Sequence, residues 1–484
     1  MNAHDRATSP RVVTRLADTD RAAAVSPTAL AARLGRWADS DGSLTASLAA
    51  ALRALVSSGE LRPGDRLPSE RALAAAVAVS RGTVVAAYAA LADSGVLERR
   101  QGSGTRVAGA AIALPARRSQ GESLFQAAPA AIDLLRAVPR IPARTIEIVR
   151  GFDAALVAAT ATDSDPAGLP EVRERIARLL SDDGTPTTPE QVIVTSGAQQ
   201  ALSLVIDELV SPGDIVLSEE LSWPGLVDPV RRRGARVHGV PMTPDGVDVD
   251  ALETAIVALR PVLIALNPHH HNPTGSRMPP ASRLAVAELS ARYGVRVIED
   301  RVLANISFDG VVPVSLAALR PDAPVIVVDS LSKWAWLGLR IGWARADPVL
   351  IRRLRASRQL VDQAASLPAQ HMALGLLDNA PALRRDASAT HAAALERLVP
   401  MMHEHLPGWT FDVPRGGLSL WARLPSGSAT AFARRAALAG VAVAGGSEFS
   451  ASAPADDHLR IPFTSPDELL HAAIERLGRV WRAE

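Results

Sequence analysis

The sequence predicts a mixed α/β fold preceded by a separate, smaller winged helix-turn-helix domain. Beyond residue 143, apolar strand-like runs alternate with helix-like stretches, which is typical of a mainly parallel sheet covered by helices. These runs are QVIVTS, DIVLS, VLIALN, VRVIED and VIVVDS. Residues 41–107 instead show three helical segments followed by a short hairpin. A chain of 484 residues is also too long for one ordinary core, so we expect two or more compact units joined by a linker.

The composition restricts where the protein works and which chemistry it can use. The first 40 residues mix Asp with Arg and lack the apolar core of a secretory signal, so we expect a disordered, solvated tail. No run of about eighteen consecutive apolar residues follows, which predicts no membrane span. The chain has no cysteine, which excludes disulfides, thiolate zinc sites and cysteine nucleophiles. These features together predict a cytoplasmic protein.

Residues 41–107 predict the order helix, helix, turn, helix and hairpin. Leu44–Ser58 has apolar residues at helical spacing and ends at Gly59. A second helix is expected over Glu70–Ala76, and Ser80 can cap a third helix that runs to about residue 94. The following VLERRQGSGTRVA supplies two short strands around a glycine-rich tip. The domain holds more arginines than acidic residues, although the net charge of the whole chain is only +1.

Residues 108–142 are rich in Ala, Pro and Arg and show little periodicity. We therefore expect a linker there, with one short docked segment. The α/β domain is expected over residues 143–484, without internal repeats or long low-complexity tracts.

Lysine usage singles out one residue of the α/β domain. Among the 52 Lys and Arg residues only Lys333 is a lysine, and it lies in SLSKWAWLGLR after the VIVVDS strand. Trp334 and Trp336 flank it. An aldehyde cofactor needs an amine nucleophile, and a lysine among apolar groups, with its pKa lowered, is the usual supplier. Lys333 is therefore the first candidate catalytic residue.

Two other strand ends carry groups suited to a charged cofactor. VTSGAQQAL begins at the end of a strand and opens a helix, so the amides that follow Ser196 can cradle a phosphate. These amides belong to Gly197, Ala198 and Gln199. VRVIED ends at Asp300, far enough before Lys333 for one α/β unit between neighbouring strands. A carboxylate in that position can keep a pyridine nitrogen protonated.

The N-terminal domain resembles the GntR family of transcription regulators. The LPSE box, the SRGTV start of the third helix, its AYAAL continuation and the GSGT tip occur in the family's order. The resemblance implies that the third helix is a recognition helix whose first turn enters the major groove of double-stranded DNA, with the glycine-rich wing beside it. Arginines that only solvate the surface are the alternative, but they would not account for this order of motifs. The expected DNA-binding residues are Arg71, Ser80, Arg81, Thr83, Gly102 and Arg106.

The second domain resembles the fold-type I aminotransferases, which use pyridoxal phosphate. SLSK followed by six residues and an arginine resembles their lysine motif, and HHHNPTG resembles their HNPTG box. The resemblance implies the fold type I of the pyridoxal-phosphate-dependent transferases, with Lys333 joined to the cofactor and Asp300 at the pyridine nitrogen. The other implied contacts are Ser330 and Arg340 to the phosphate, Trp223 to the pyridine face, Asn272 to the phenolic oxygen and Arg460 to a substrate carboxylate.

The combination of the two domains resembles the MocR subfamily of GntR regulators, from about Leu44 to the end of the chain. The resemblance implies a transcription regulator that binds pyridoxal phosphate as an internal aldimine with Lys333. It also implies a homodimer that exchanges domains head to tail. Operator binding would then be controlled by pyridoxal phosphate itself, or by an amino compound that displaces Lys333.

Two positions depart from the subfamily pattern. Val302 stands where a Tyr usually follows the pyridine-binding Asp by two residues, and Asp163 stands where a Tyr commonly precedes the DPAG phrase. Loss of a phenol donor should weaken catalysis, so we expect cofactor binding without efficient turnover. Two alternatives stay open: a working aminotransferase with a DNA-binding head, and a regulator whose second domain is a cofactor-free dimerisation scaffold.

Three consecutive histidines, His269–His271, raise the question of a metal site because imidazole is a common metal ligand. Adjacent residues do not converge on one ion without a special turn. The resemblance to the HNPTG box already accounts for His271, so no metal site is expected.

Overall fold

The structure is a computed structural model that describes residues 25–34, 37, 43–57, 61, 64–93, 96–100, 104–108, 124, 131–160, 165–452 and 455–483. The chain divides into two compact units, residues 1–118 and 119–484. Each unit has its own apolar core and is described by itself.

The first unit is a winged helix-turn-helix, as the sequence predicts. Its elements are α1 Pro27–Leu34, α2 Leu44–Ser57, α3 Glu70–Ala76, α4 Arg81–Asp93, β1 Leu97–Arg100 and β2 Gly104–Val107. The two strands pair antiparallel, with Leu97 opposite Val107. Buried leucines of the first three helices pack against α4, whose Tyr88 is fully buried. The Tyr88 hydroxyl donates to the carbonyl oxygen of Pro68 at 3.1 Å, so its polar end is satisfied.

Part of the expected N-terminal tail is folded, so the prediction of disorder through residue 40 is wrong for Pro27–Leu34. Leu30 is fully buried and Leu34 nearly so, one helical turn apart on the same face. The Ser26 hydroxyl accepts a hydrogen bond from the Ala29 amide at 3.1 Å and caps the helix. Burial of the two leucines outweighs the disorder-promoting composition that precedes them. Residues 1–24 lie outside the described part of the chain.

The second unit is an α/β fold with a large and a small sheet. Its strands are β3 Ile132–Leu134, β4 Val192–Thr195, β5 Ile215–Glu219, β6 Arg236–Val240, β7 Met242–Thr243, β8 Gly246–Val247, β9 Leu263–Leu266, β10 Arg296–Asp300, β11 Val325–Ser330, β12 Gly342–Arg345, β13 Ser419–Arg423, β14 Val441–Gly445 and β15 His458–Pro462. Its helices are α5 Ala143–Arg150, α6 Ala154–Thr160, α7 Pro170–Asp182, α8 Ala198–Leu209, α9 Pro224–Arg232, α10 Val249–Leu259, α11 Pro280–Tyr293, α12 Leu316–Leu319, α13 Pro348–Gln359, α14 Leu367–Asp378, α15 Ala380–His405, α16 Ala429–Leu438 and α17 Asp467–Arg482.

The large sheet has seven strands in the order β4-β12-β11-β10-β9-β5-β6. β12 runs antiparallel to both of its neighbours, and the other pairings are parallel. Consecutive strand residues point to opposite faces of the sheet. Ile326 and Val327 belong to different apolar clusters, so both faces are covered. This burial on both faces explains why the strands are continuous apolar runs in the sequence.

The small sheet has the order β13-β15-β14-β3. β3 pairs parallel with β14, from Ile132 opposite Val441 to Leu134 opposite Val443. This strand lies in the stretch for which the sequence predicts a linker with a docked segment. Its pairing ties that stretch to the second unit.

The topology places the functional positions at one edge of the large sheet. β5, β9, β10 and β11 run parallel, so their carboxyl ends meet there. Those ends are Glu219, Leu266, Asp300 and Ser330. Side chains and loops beyond these residues form the candidate site.

Among the described residues, a single helix with the length and apolarity needed to cross a membrane does not occur. Helices α3 and α4 satisfy that test of length and composition only when they are joined across a bend of 119°.

Candidate functional site

Lys333 lies in the turn that follows β11, and its amine is buried. The Nζ atom donates a hydrogen bond to the carbonyl oxygen of Ala137 at 3.1 Å. Burial lowers the pKa of Lys333 to about 8. The Arg460 and Arg340 charges lower it further, while the Asp300 carboxylate opposes the shift. About a tenth of this amine is therefore neutral at pH 7, where an ordinary lysine with a pKa of about 10.4 is almost entirely protonated, so Lys333 is the more nucleophilic amine.

Asp300 lies at the end of β10 and is 5% exposed. One of its carboxylate oxygens, Oδ1, accepts a hydrogen bond from the Val302 amide at 3.0 Å, and no described residue donates to the other. Burial raises the pKa of Asp300 to about 6, although the Val302 amide and the Lys333 charge pull it down. The free oxygen is thus available to a cationic or N–H group placed in the site.

Asn267 connects the strand ends and was not predicted from the sequence. Its backbone N–H donates to Glu219 Oε1 at 2.8 Å, and its side-chain nitrogen Nδ2 donates to the Asp300 backbone carbonyl at 2.9 Å. Its side-chain oxygen Oδ1 accepts a hydrogen bond from the backbone N–H of Asn272 at 2.8 Å. Burial raises the pKa of Glu219 to about 8, so this missed carboxyl group is mostly protonated at neutral pH. A polar residue directly after the apolar run VLIAL was the signal for Asn267.

Most of the predicted phosphate-binding residues lie at the start of α8, and Arg340 reaches them. Gly197 precedes the helix with φ +94°, and Arg340 donates from Nη2 to the Ser196 carbonyl at 2.8 Å. Ser330 faces Gly342 across the sheet, and Gly342 in turn faces Thr195, so Ser330 lies two strands from Ser196. No described carboxylate forms an ion pair with Arg340. A helix N-terminus beside a guanidinium that no acid neutralises is suited to an anion.

Gly197→Ala is expected to weaken phosphate binding at this position. A Cβ atom on Gly197 would lie 2.8 Å from Arg340 Nη2, and the residue has a φ of +94° that L side chains rarely adopt. We expect the affinity for pyridoxal phosphate to fall about tenfold or more, the cost of one displaced charged hydrogen bond. Titration with pyridoxal, which lacks the phosphate, should show a much smaller change. Gly213→Ala is the matched control, because Gly213 has φ +90° but nothing within 4 Å of its added Cβ. Equal losses in both variants would contradict the expectation.

Trp223 lies at the start of α9 and is half-buried. Its indole Nε1 donates to Gln199 Oε1 at 3.3 Å, which connects it to the first turn of α8. Gln199 also donates to the Gly225 carbonyl, so its side chain orients this loop. The ring packs against the cluster that contains Leu135 and Phe449.

Arg460 lies on β15 and is 1% exposed. Nη1 donates to Asn272 Oδ1 at 3.1 Å, and Nη2 donates to the Leu135 carbonyl. Its guanidinium carbon lies 4.8 Å from the centre of the Phe449 ring. Burial lowers the pKa of Arg460 to about 10, with Asp133 opposing the shift, so the group stays cationic at neutral pH. Its hydrogen bonds go to an amide oxygen and a carbonyl, and no described acid forms an ion pair with it, so a ligand carboxylate can supply the missing negative charge.

The three histidines contact different partners. His269 lies 2.8 Å from Glu299 Oε1, and Arg301 also reaches that imidazole and carboxylate. His271 Nδ1 lies 2.8 Å from Thr274 Oγ1. Both ring nitrogens of His270 are buried, with no hydrogen-bond partner among the described residues. No group of three or more metal-ligand side chains occurs within the described ranges.

The first turn of α4 carries three of the predicted DNA-binding residues. Ser80 Oγ accepts from the Thr83 amide at 3.1 Å and lies 2.8 Å from Thr83 Oγ1, so it caps the helix. The Arg81 side chain is 69% exposed and lies 3.5 Å from Glu70. Arg71 is also exposed. Ser80, Arg81 and Thr83 lie at the N-terminus of α4, where they can meet DNA phosphates.

The wing contributes Arg106, whose Nη1 donates to the Gly64 carbonyl at 3.1 Å. Arg66 pairs with Arg106 through a backbone bridge, and its guanidinium lies beside Gly104. Arg66 was not predicted to bind DNA, although this basic residue stands just before the LPSE box in the sequence. Gly102 lies outside the described residues.

Comparisons with known proteins match both units. The sequence profile of the family "Aminotransferase class I and II" matches residues 146–477. The profile of "Bacterial regulatory proteins, gntR family" matches residues 44–107.

The chain is 27% identical over 475 residues to the "Uncharacterized HTH-type transcriptional regulator YjiR" of Escherichia coli (strain K12), across 90% of this chain and 98% of that protein. It is 29% identical over 416 residues to the "Probable rhizopine catabolism regulatory protein MocR" of Rhizobium meliloti, across 80% of this chain and 82% of that protein. A similar solved structure is LysN, an alpha-aminoadipate aminotransferase from Thermus thermophilus complexed with N-(5'-phosphopyridoxyl)-L-leucine. Its TM-score is 0.69 at 27% identity, over 76% of this chain and 96% of LysN.

Proposed function

Because the chain belongs to the class I and II aminotransferase family, within the MocR subfamily of GntR-type regulators, we propose that its second unit senses an amino compound through a covalently held cofactor. The first unit binds DNA, and its affinity for an operator would change with the state of the second. The observation that carries the proposal is the Lys333 amine, hydrogen-bonded to Ala137, whose pKa burial lowers to about 8 and which feels the charges of the Asp300 carboxylate and of the Arg340 and Arg460 guanidinium groups.

Pyridoxal phosphate is the cofactor of this family, and the residues present fit it. The helix N-terminus at Gly197 and the guanidinium of Arg340 suit its phosphate, with Ser196 and Ser330 beside them. The oxygen of Asp300 that no described residue satisfies suits its pyridine nitrogen, and Lys333 suits its aldehyde. When bound, the cofactor supplies an aldehyde that condenses with primary amines and a ring that accepts electrons. Trp223 would cover the ring and Asn272 would donate to its phenolic oxygen.

The residues of the chain divide the work of recognition. Lys333 keeps about a tenth of its amine neutral at pH 7, because burial disfavours its charged form and lowers its pKa to about 8. Asp300 stays mostly ionised above its pKa of about 6 and can hold a proton on a ring nitrogen. Arg460 stays cationic in a buried position where a carboxylate is strongly attracted.

Sensing is favoured over turnover by the side chain at position 302. Val302 is a partly buried member of an apolar cluster and has no donor for a phenolic oxygen. A catalyst of proton transfer would gain from a second donor there, beside Asn272, to stabilise developing charge. The alternative of a working aminotransferase predicts steady transamination of an amino acid, lost in Lys333→Ala. A chain used for sensing should bind the same amino acid and show little or no turnover.

The proposed assembly is a homodimer in which the DNA-binding unit of one protomer associates with the second unit of the other. Two recognition helices would then reach two operator half-sites. Cross-linking of the full chain between the two units, followed by separation of intermolecular from intramolecular products, tests this arrangement.

The reaction of Lys333 with an aldehyde is expected to level off at a lower pH than that of an ordinary lysine. Only the neutral amine attacks, so the rate should rise about tenfold per pH unit while most Lys333 is protonated and flatten above about pH 8. A free lysine side chain has an ordinary pKa of about 10.4, so its rate should still rise at pH 9. Stopped-flow absorbance with pyridoxal phosphate measures the profile, with Nα-acetyl-lysine as the reference. A protein profile parallel to the reference would contradict the lowered pKa.

The decisive experiment is borohydride reduction of the purified chain after incubation with pyridoxal phosphate. We expect one phosphopyridoxyl group per chain, located by mass spectrometry on the peptide that holds Lys333. An absence of adduct at saturating cofactor would refute the proposal and leave the scaffold alternative in place.

A further inference from the structure

Two buried polar residues at the carboxyl edge of the large sheet take no part in the proposed cofactor contacts. Glu219 ends β5 and is 1% exposed, and Asn267 follows β9 and is 8% exposed. A polar side chain buried to this depth is costly unless it is hydrogen-bonded. The partners of these two side chains therefore show what they hold in place.

The two side chains bond where the backbone ladders of β9 end. The ladder with β5 ends one residue before Glu219, and Glu219 Oε1 then accepts a hydrogen bond from the Asn267 N–H at 2.8 Å. The ladder with β10 ends at Leu266, and Asn267 Nδ2 then donates to the Asp300 carbonyl at 2.9 Å. These two bonds hold the ends of β5, β9 and β10 together.

Asn267 also fixes the turn that follows it. Its Oδ1 accepts a hydrogen bond from the Asn272 N–H at 2.8 Å, and the turn closes through a bond from the His271 N–H to the Ser276 carbonyl at 2.8 Å. The Asn272 side chain accepts from Arg460 with Oδ1, which leaves its Nδ2 without a partner among the described residues. The position of that Nδ2 follows the backbone that Asn267 holds.

Only a side-chain amide can make both of these bonds, because it donates at one end and accepts at the other. A carboxylate at position 267 would face the Asp300 carbonyl without a hydrogen, and an apolar side chain would bind neither backbone group. The two bonds reach the backbones of Asp300 and Asn272, whose side chains are proposed to meet the nitrogen and the phenolic oxygen of the cofactor ring. One side chain therefore controls the spacing of two contacts to the same ring.

Glu219 supports Asn267 without adding a charge at neutral pH. Burial raises the pKa of Glu219 to about 8, and the Asp300 charge raises it further, so the group is mostly protonated. A protonated carboxyl group can still accept the Asn267 N–H with its carbonyl oxygen. Of these two carboxyl groups, Asp300 therefore keeps the negative charge that a ring nitrogen needs.

We infer that Glu219 and Asn267 are positioning residues of the cofactor site, which act through the backbones of Asp300 and Asn272 and set the strength of both ring contacts. The inference rests on the proposed function and adds two residues that touch no part of the cofactor. A bridge that only satisfied buried backbone groups would affect stability alone. A bridge that positions also changes the properties of the bound cofactor, in a chain that stays folded.

The pH dependence of the visible absorbance of the chain loaded with pyridoxal phosphate is the first test. Asn267→Leu removes both side-chain bonds at similar size. A donor at the phenolic oxygen stabilises its anionic form, so a weaker donor should raise the midpoint of the absorbance change by about one pH unit, the equivalent of one hydrogen bond. An unchanged midpoint in folded Asn267→Leu overturns the inference.

Variants of Glu219 test the same bridge from its other end. Glu219→Leu removes the acceptor of the Asn267 N–H, so we expect a smaller rise of the midpoint in the same direction. Glu219→Gln keeps an uncharged oxygen acceptor and should restore the midpoint of the unaltered chain. If Asn267→Leu does not fold, Glu219→Leu decides, and a midpoint equal to that of Glu219→Gln refutes the positioning role.

Gln370→Met is the matched control for lost stability. Gln370 is fully buried, and its amide also joins two backbone groups: it donates to the Ala365 carbonyl at 2.8 Å and accepts from the Leu169 N–H at 2.7 Å. These bonds lie outside the proposed cofactor contacts, so we expect a lower melting temperature and an unchanged midpoint. A midpoint shift as large as that of Asn267→Leu would show general loosening and contradict the inference.

A second measurement isolates the ring nitrogen. The compound 1-deaza-pyridoxal phosphate carries a C–H group in place of that nitrogen, so the ratio of its Kd to that of pyridoxal phosphate reports the Asp300 contact. We expect the ratio to fall about 3- to 10-fold in Asn267→Leu and to stay the same in Gln370→Met. An unchanged ratio in Asn267→Leu shows that the bridge does not position Asp300. If the unaltered chain binds neither compound, the proposed function has failed and the inference fails with it, whereas normal binding by the variants refutes the inference alone.

Discussion

The Lys333→Ala variant is expected to form no borohydride-stable adduct with pyridoxal phosphate. The loss should be complete because Lys333 is the only lysine of the chain. Its amine is also the buried one whose lowered pKa, about 8, makes it nucleophilic near neutral pH. Arg340 and the α8 N-terminus remain, so the variant should still bind the phosphate of the cofactor, but weakly and reversibly. Mass spectrometry of the reduced, digested protein measures the adduct, and equilibrium dialysis measures the residual binding.

Two controls separate chemistry from folding in this experiment. Lys333→Arg keeps a cation near Asp300 but supplies no primary amine, so it should also form no adduct. Arg81→Ala changes the first unit and should form the adduct at the unaltered level. An adduct that persists in Lys333→Ala would have to sit on the N-terminal amine, and the assignment of the cofactor site would then be wrong.

The fold was largely predictable because local sequence and tertiary structure agree in it. Runs such as VIVVDS are buried on both faces of a parallel sheet, so their apolar continuity is a direct consequence of their position. Ser80 caps α4 with its own hydroxyl, a contact between residues three apart in the chain. α1 was not predicted, because two leucines gain their burial only from helices that come later in the chain.

The candidate site was predictable in its side chains and not in its backbone contacts. Lys333, Asp300 and Arg340 could be found because few residue types can perform their chemistry, and the structure brings their charges within range of one another. The Leu135 and Ala137 carbonyls carry no such signal, since every residue has one. Their partners are nearly 200 residues or more away in sequence, and only the pairing of β3 with β14 places them in the site.

The second large effect is expected in the first unit, where Arg81→Ala should weaken DNA binding. Arg81 is the first residue of α4, its side chain is 69% exposed, and its partner Glu70 lies 3.5 Å away. An exposed ion pair of this kind costs little to exchange for a DNA phosphate or a base edge. We expect a loss of about 1–3 kcal/mol, which is about 5- to 150-fold in Kd, measured by fluorescence anisotropy on a duplex selected by the unaltered chain.

The salt dependence then decides what Arg81 contacts. A phosphate contact should lower the slope of log Kd against log salt by about one and weaken all sequences alike. A base contact should instead relax the preference at one position of the duplex. Arg479→Ala is the matched control, because Arg479 is a similarly exposed arginine, 57%, paired with Glu475 at 3.0 Å in the second unit. If this control loses as much affinity as Arg81→Ala, the effect is one of net charge, and the recognition helix does not present Arg81 to DNA.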